Sequence, residues 1–459
     1  MTRSGSPASR RGEQLTCDLL VVGGGMAGLS AAAYATGQGL SAVVVDRAPA
    51  VGGSAAYAGI VWTAPSYEVF RAEIPDGDPR LAAAITADVD EDTEWLASIG
   101  VTCGPAMELM RFGRGRRVDT GQFIQITERR VRDAPGSAVL AGCETTRLLT
   151  GDGSVLGAEV RLASGETREI AARHTLLATG GFQGDPDLRA RRIHPNARDV
   201  PLRANRYSRG DGMRLGIAAG AAFGPEQAGF YGHLIPYGTP LTDPALFVER
   251  AMYCSEHTIL VNLAGQRFTD ESMGDHLNTI AVLEQPGARA LMIADQRAHD
   301  DWMITPFTPD GSAVDKFEIA RRAGARCAVA ADVDEFGYLP PEWGYPAAAV
   351  RASIERFNDE CRRGSEPPRR YDPAPLEKPP FYVMEVGPAI TFTYSGLRID
   401  DQARVVNGAG APIPGLLAAG ADAGGVFVRG YAGGLANALV FGLRAARTAC
   451  GQPASSADR

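Results

Sequence analysis

An apolar strand running into Gly23-x-Gly25-x-x-Gly28, a second strand–glycine–helix run at the other end of the chain, and a middle rich in proline and aromatic residues predict an α/β fold. In this reading both chain ends build one Rossmann-like domain, 15–230 and 386–452. An α+β domain, 231–385, is inserted as a substrate or cap unit. The polar ends 1–14 and 453–459 read as disordered tails. At 459 residues the chain exceeds what one core usually supports, which fits two domains.

The first element is the apolar run Leu19 to Val22, with the length and branching of a buried strand. Gly23 permits the tight turn after it, Gly25 lets backbone approach a pyrophosphate, and Gly28 lets helix pack closely on strand. Met26 and Ala27 open a small-residue helix to about Gln38, whose N-terminus would receive the phosphates. A second strand, Ala42 to Val45, ends on Asp46, about 20 residues on, where a carboxylate takes ribose hydroxyls. Arg47 follows, then a loop through Gly53 and Ser54 suited to lie along a flat cofactor. Residues 78–100 carry Leu81, Ile85, Leu96 and Ile99 at helical spacing. Val155 to Val160 and Arg168 to Ile170 flank a hairpin turn, Ala163 to Glu166. Leu176 to Ala178 is a buried strand reaching Gly180 and Gly181. Arg351 to Cys361 reads as a helix and Pro367 to Pro380 as a connector. Gly396 to Asp400 starts a strand pair reaching Leu416 to Gly420, and Leu435 to Arg447 is the closing helix.

Composition narrows the function. Lys and Arg number 46 against 54 Asp and Glu, a net charge of −8, which argues against nucleic acid as the main partner. The densest basic cluster, Arg111 to Arg117, reads as a solvated loop sooner than a binding patch, though one that could attract an anion. Seven scattered cysteines without a C-x-x-C pair support no metal site and fit a cytoplasmic location. Arg10-Arg11 lacks a following export segment, and no apolar run approaches the ~18 residues of a membrane span.

Several ordered motifs resemble the flavoprotein family of soluble fumarate reductases, 3-ketosteroid dehydrogenases and tricarballylate dehydrogenase. They are Val21 to Gly28, Val51 to Ser54, Ala178 to Phe182, Val261 to Glu271, Ile413 to Gly420, and Gly433-Gly434. The resemblance implies FAD as the cofactor, contacted also by Gly180, Gly420, Leu435 and Ala436, and a cleft between the two domains. It implies hydride exchange at the flavin with a carbon α,β to a carbonyl of a small-molecule substrate, so that a C=C bond is made or reduced. No family-type histidine follows Gly52-Gly53-Ser54, so FAD is expected to be non-covalent. Asp422 beside Ala421 is expected to replace the family's ribityl-binding glutamate.

Departures from the family pattern fall on the substrate grips. Asp275, beside His276, stands where fumarate reductases place their acid arginine. Phe392 replaces a carboxylate-binding histidine, and Tyr431 replaces an arginine, with Arg429 the nearest substitute. His233, in Gly232-His233-Leu234-Ile235-Pro236, matches the histidine of the family's His-Pro segment. A dianion loses its fork-shaped donors here, so fumarate and succinate are not expected as substrates. Tyr431 resembles the tyrosine that polarises a ketone in ketosteroid dehydrogenases, and tricarballylate dehydrogenase carries one too. Asp275 or His276 would move the proton, with Tyr231 and Tyr253 as further cleft residues; Glu271 reads as a structural or flavin-side hydrogen-bond partner. Two alternatives stand beside this reading: a flavin monooxygenase or oxidase, and a flavin-binding protein with a degenerate site.

Overall fold

In a computed structural model, residues 15–243, 246–304, 306, 312–364 and 368–452 are described. The predicted tails, Arg10-Arg11 and Pro367 lie outside them. The larger unit is an eight-stranded sheet. Its main path runs Arg404–Val406, Pro412–Ala418, Thr167–Leu177, Leu15–Val22, Ala42–Asp46, Ala138–Ala141. The five strands from Pro412–Ala418 to Ala138–Ala141 are parallel, so their carboxyl ends open on one edge. Thr167–Leu177 joins sequence-distant neighbours, pairing Leu176 with both Val21 and Leu417. Both chain ends therefore meet in one sheet.

The helices Met26–Gly37 and Gly434–Ala449 pack together beside this sheet. Small residues permit this: a Cβ on Gly442 would fall 2.5 Å from the Ala27 carbonyl. The predicted helix near 78–100 is Pro79–Ser98, started by Asp78, which accepts from Arg80 N–H, and by Pro79 at the first turn.

The inserted unit has its own sheet, ordered Phe230–Pro236, Phe381–Thr393, Ala290–Ala294, Ile259–Val261, with Cys327–Ala330 also on Phe381–Thr393. The boundary expected at 385/386 falls inside the strand Phe381–Thr393. That strand carries the inserted sheet to the cofactor domain. The predicted helix Arg351–Cys361 is the middle of Ala347–Arg363.

Two local readings are corrected. The Arg111–Arg117 cluster is not a solvated loop: Gly113–Val118 is a strand paired with Cys103–Leu109 and Ile60–Thr63, and Arg111 is bonded to Glu73 at 2.9 and 2.5 Å. Alternating Arg and Gly hid the strand. Gly396–Arg398 does not pair with Pro412–Ala418; it joins Phe223–Gly224 and Ala423–Gly424 in a small sheet, and Arg404–Val406 takes the expected place. No helix among the described residues is long and apolar enough to cross a membrane.

Candidate active site

A cavity opens at the carboxyl ends of the parallel strands. Its wall includes Gly23, Gly25, Met26 and Ala27 from the first turn, and Asp46 and Arg47 from the second strand. Gly53, Ser54, Gly180, Gly420 and Leu435 also line it.

The glycines divide the labour physically. Gly23 has φ +109, and a Cβ there would meet the Ala178 carbonyl at 2.2 Å. A Cβ on Gly28 would lie 1.9 Å from the Gly23 carbonyl, so Gly28 serves helix–strand packing and is off the cavity wall. A Cβ on Gly25 would meet no protein atom within 4 Å. The space it would fill is the cavity itself, which leaves backbone free to touch a ligand. Met26–Gly37 has no side-chain cap at its N-terminus, so its first-turn N–H groups suit an anionic ligand; at Gly434–Ala449 the Gly434 N–H is taken by the Tyr431 hydroxyl. Asp46 is buried at this wall; its Oδ2 accepts from Gly24 N–H at 2.7 Å and its Oδ1 from Ala48 N–H at 2.8 Å. Each oxygen retains acceptor capacity for a ribose hydroxyl. These features fit a dinucleotide.

Arg47 is held by Glu144 at 2.5 Å and Asp211 at 3.0 Å, which fixes it at the cavity rim. Asp422 is corrected. Its carboxylate is buried behind the turn after Thr167–Leu177, accepting from Gly181 N–H at 3.0 Å, Thr179 N–H at 2.5 Å and the Thr179 hydroxyl at 3.1 Å. It shapes the Gly180 turn and is not on the wall, so it does not reach for a ribityl chain. Ala436 is likewise buried off the wall. Sequence reading missed Asn205, Tyr207, Ser208 and Asp211, which line the cavity. The polar, Gly-rich run Asn205 to Gly212 was the available signal.

The same cavity is lined by Tyr231, Thr391, Phe392 and Tyr431. Tyr431 stacks on Tyr231 with ring centroids 3.7 Å apart and meets Trp62 edge-on at 5.3 Å. Its hydroxyl accepts from Gly434 N–H at 2.9 Å. Burial pushes its phenol up to about 12. Behind Tyr231 stands His233, whose ring lies 4.9 Å from that of Tyr231 and 4.7 Å from that of Tyr253. His233 Nδ1 is hydrogen-bonded to Asp275 Oδ2, and both residues are fully buried. Asp275 begins the helix Asp275–Leu283, which packs against the strand bearing His233. Burial drives Asp275 well above the carboxylate range and His233 well below the imidazole range. Burial thus disfavours charge on both members of the pair. His276 is held neutral too, pushed down to about 3 by burial first and by His233 and Arg111 next. His233, Asp275 and His276 stand one layer behind the cavity wall.

One other expectation changes. Arg429 points outward, 57% exposed, to Glu284 at 3.2 Å, and does not replace a substrate-binding arginine. Of the two roles expected for Glu271, the structure gives the structural one: it accepts from Leu260 N–H at 2.9 Å and pairs with Arg267 at 2.7 Å. Arg203, buried beside this cluster, went unnoticed in sequence.

A parallel sheet, a glycine cradle and an adjoining acid–phenol cluster define a dinucleotide-dependent oxidoreductase. The family described as FAD binding domain matches residues 106–437, and that described as FAD dependent oxidoreductase matches residues 18–182; the chain belongs to this FAD-binding family. It is an FAD-dependent oxidoreductase acting on CH–CH or C=C bonds. It is 27% identical to urocanate reductase of Eggerthella lenta, covering 91% of this chain and 72% of that protein. It is 26% identical to 3-oxosteroid 1-dehydrogenase of Mycolicibacterium smegmatis, covering 94% and 96%. Among solved structures, the 3-ketosteroid-Δ4-(5α)-dehydrogenase of Rhodococcus jostii aligns with TM-score 0.74 and 21% identity, covering 96% of this chain and 98% of that one. A flavocytochrome c3 fumarate reductase aligns with TM-score 0.69 and 22% identity, covering 96% and 79%.

Proposed function

We propose that this enzyme acts on a CH–CH or C=C unit α,β to the carbonyl of a ketone, enone or organic acid, and that fumarate and succinate are not substrates. The observation that carries this reading is Tyr431. Its oxygen accepts from Gly434 N–H and meets the Tyr231 and Trp62 side chains, which gather donors on the oxygen and leave its own proton to turn toward a carbonyl oxygen in the cavity. With the phenol pushed up to about 12, it remains a donor throughout the neutral range. Such a donor stabilises the enolate-like oxygen that develops as the neighbouring carbon gains or loses a proton. FAD, when bound, supplies hydride exchange. Asp275, backed by His233, holds a proton one layer behind the wall, beneath Tyr231 and Tyr253; its Oδ1 is buried without a hydrogen-bond partner in the structure. Tyr231 and Phe392 exclude water and present an aromatic wall where a dianion would need cations. The kinship with named reductases and a 3-oxosteroid dehydrogenase supports the reaction class.

The test is anaerobic reoxidation of the photoreduced flavin. A conjugated enone or enoate from a panel should reoxidise it, and fumarate should be slower by orders of magnitude. Fumarate matching the best panel member would contradict the proposal. We also propose that FAD is non-covalent, since the described cavity wall contains no histidine. Acid precipitation should release all the flavin; flavin left on the polypeptide would contradict this.

A further inference from the structure

Two buried cations stand beside the site, hydrogen-bonded to carbonyl and hydroxyl oxygens. Arg203 donates through Nε and Nη2 to the Phe247 carbonyl at 3.1 and 2.8 Å, and through Nη1 to the Thr391 hydroxyl at 2.8 Å. Lys316 Nζ donates to the carbonyls of Val248 and Glu249 at 3.0 and 2.6 Å. They are only 6% and 7% exposed. Together they cap the turn Leu246–Glu249. Carbonyl dipoles satisfy their hydrogen bonds but do not cancel their charge, and buried charge is costly unless paired. Two carboxylates act on Lys316, Glu249 and Asp275, and burial pushes both Lys316 and Asp275 toward their neutral forms. Arg203 is the cation on the cavity side, and its hydrogen bonds go to a carbonyl and a hydroxyl, so an anion placed at Thr391 would give its charge a partner.

Thr391 connects this charge to the cavity. It lies on the wall, and its oxygen already accepts from Arg203. Its proton is left to donate, and a guanidinium behind it makes that a charge-assisted contact. We propose that Thr391 and Arg203 form the anchor for a single substrate carboxylate. The hydroxyl donates directly, the guanidinium supplies the charge, and the wall of Tyr231, Phe392 and Tyr431 takes the apolar remainder. This rests on the reading that the cavity takes a carbonyl compound, and it narrows that class to monoanionic acids. One anchor also explains in physical terms why a dianion is a poor fit.

The test uses benzoate and methyl benzoate, which share a ring and a carbonyl but lack a CH–CH unit to oxidise. Binding to the oxidised holoenzyme is read from the flavin absorbance difference. Benzoate should bind at least about tenfold tighter than its ester, the scale of a hydrogen bond to a charged group. Arg203→Met should bring the two within threefold, Arg203→Lys should keep part of the preference, and Thr391→Val should reduce it without touching the Arg203–Phe247 contact. Equal binding of acid and ester to the unmodified enzyme would overturn the proposal, as would a preference unchanged in Arg203→Met. If Arg203→Met fails to retain FAD, the unmodified enzyme and Thr391→Val decide alone. Arg203-dependent benzoate binding without reoxidation by any enone or enoate would keep the anchor and remove the reaction reading. Reoxidation by enones with no benzoate preference would do the reverse.

Discussion

Around Gly23 and Gly25 the cavity wall is largely backbone, and its centre is the stretch between Leu15 and Asp46, closed by Gly53 and Ala178. Around Tyr431 the wall and its support are side chains drawn from distant positions: Arg203, Tyr231, His233, Asp275, Thr391 and Phe392. A backbone site tolerates no added carbon where two segments touch. A side-chain site can change residue by residue while the scaffold stands. The difference fits a family whose named members are reductases and dehydrogenases of different substrates.

The sharpest test of that contrast is a pair of single methyl groups. Gly28→Ala puts Cβ 1.9 Å from the Gly23 carbonyl, a backbone atom that cannot swing away. It should abolish FAD binding and yield little folded protein, judged by flavin content and circular dichroism. Gly25→Ala meets no protein atom within 4 Å and should fold normally, yet bind FAD more weakly because the methyl enters the cavity. Equal behaviour of the two variants would undo the division of labour between packing and cradle.

On the side-chain half, Asp275→Asn should retain FAD and slow flavin reduction on the order of 10²–10⁴-fold, the usual span for a lost acid or base. His276→Gln should cost only a few-fold. The reverse order in stopped-flow traces would hand the proton to His276.

The smallest effect concerns pH. His276 sits at about 3 in the fold and returns to 6.5 when unfolded. The unfolded chain then binds the extra proton, so this group's contribution to stability is present above pH 6.5 and is lost as pH falls toward 3. His276→Gln should make Tm fall less steeply on acidification below pH 6.5, by a few degrees at most. An identical Tm–pH slope would show that His276 does not titrate on unfolding.

The cradle was legible because its signals are local. Strand, Gly23, Gly25, Gly28, helix and Asp46 follow in order, each with a steric or electrostatic reason. Asp422 misled because proximity to Ala421 says nothing about direction; the carboxylate turned inward to close the Gly180 turn. Arg429 misled in the same way, two residues from Tyr431 yet pointing outward with φ +48. Arg203 left no sequence signal, since its meaning depends on Phe247 and Thr391, the latter 188 residues away. The His233–Asp275 pair, 42 residues apart, was seen as two separate residues and not as one hydrogen-bonded unit.

The central claim is that Tyr431 stabilises negative charge developing on a carbonyl oxygen. The direct measurement is single-turnover flavin oxidation or reduction by the best panel substrate in Tyr431→Phe. The ring that packs against Tyr231 and Trp62 is kept, so FAD content should match the unmodified enzyme. The rate of the hydride step should fall on the order of 10²-fold with substrate affinity little changed, because the lost hydrogen bond strengthens in the transition state. A rate within threefold of the unmodified enzyme, at equal FAD content, would contradict the account.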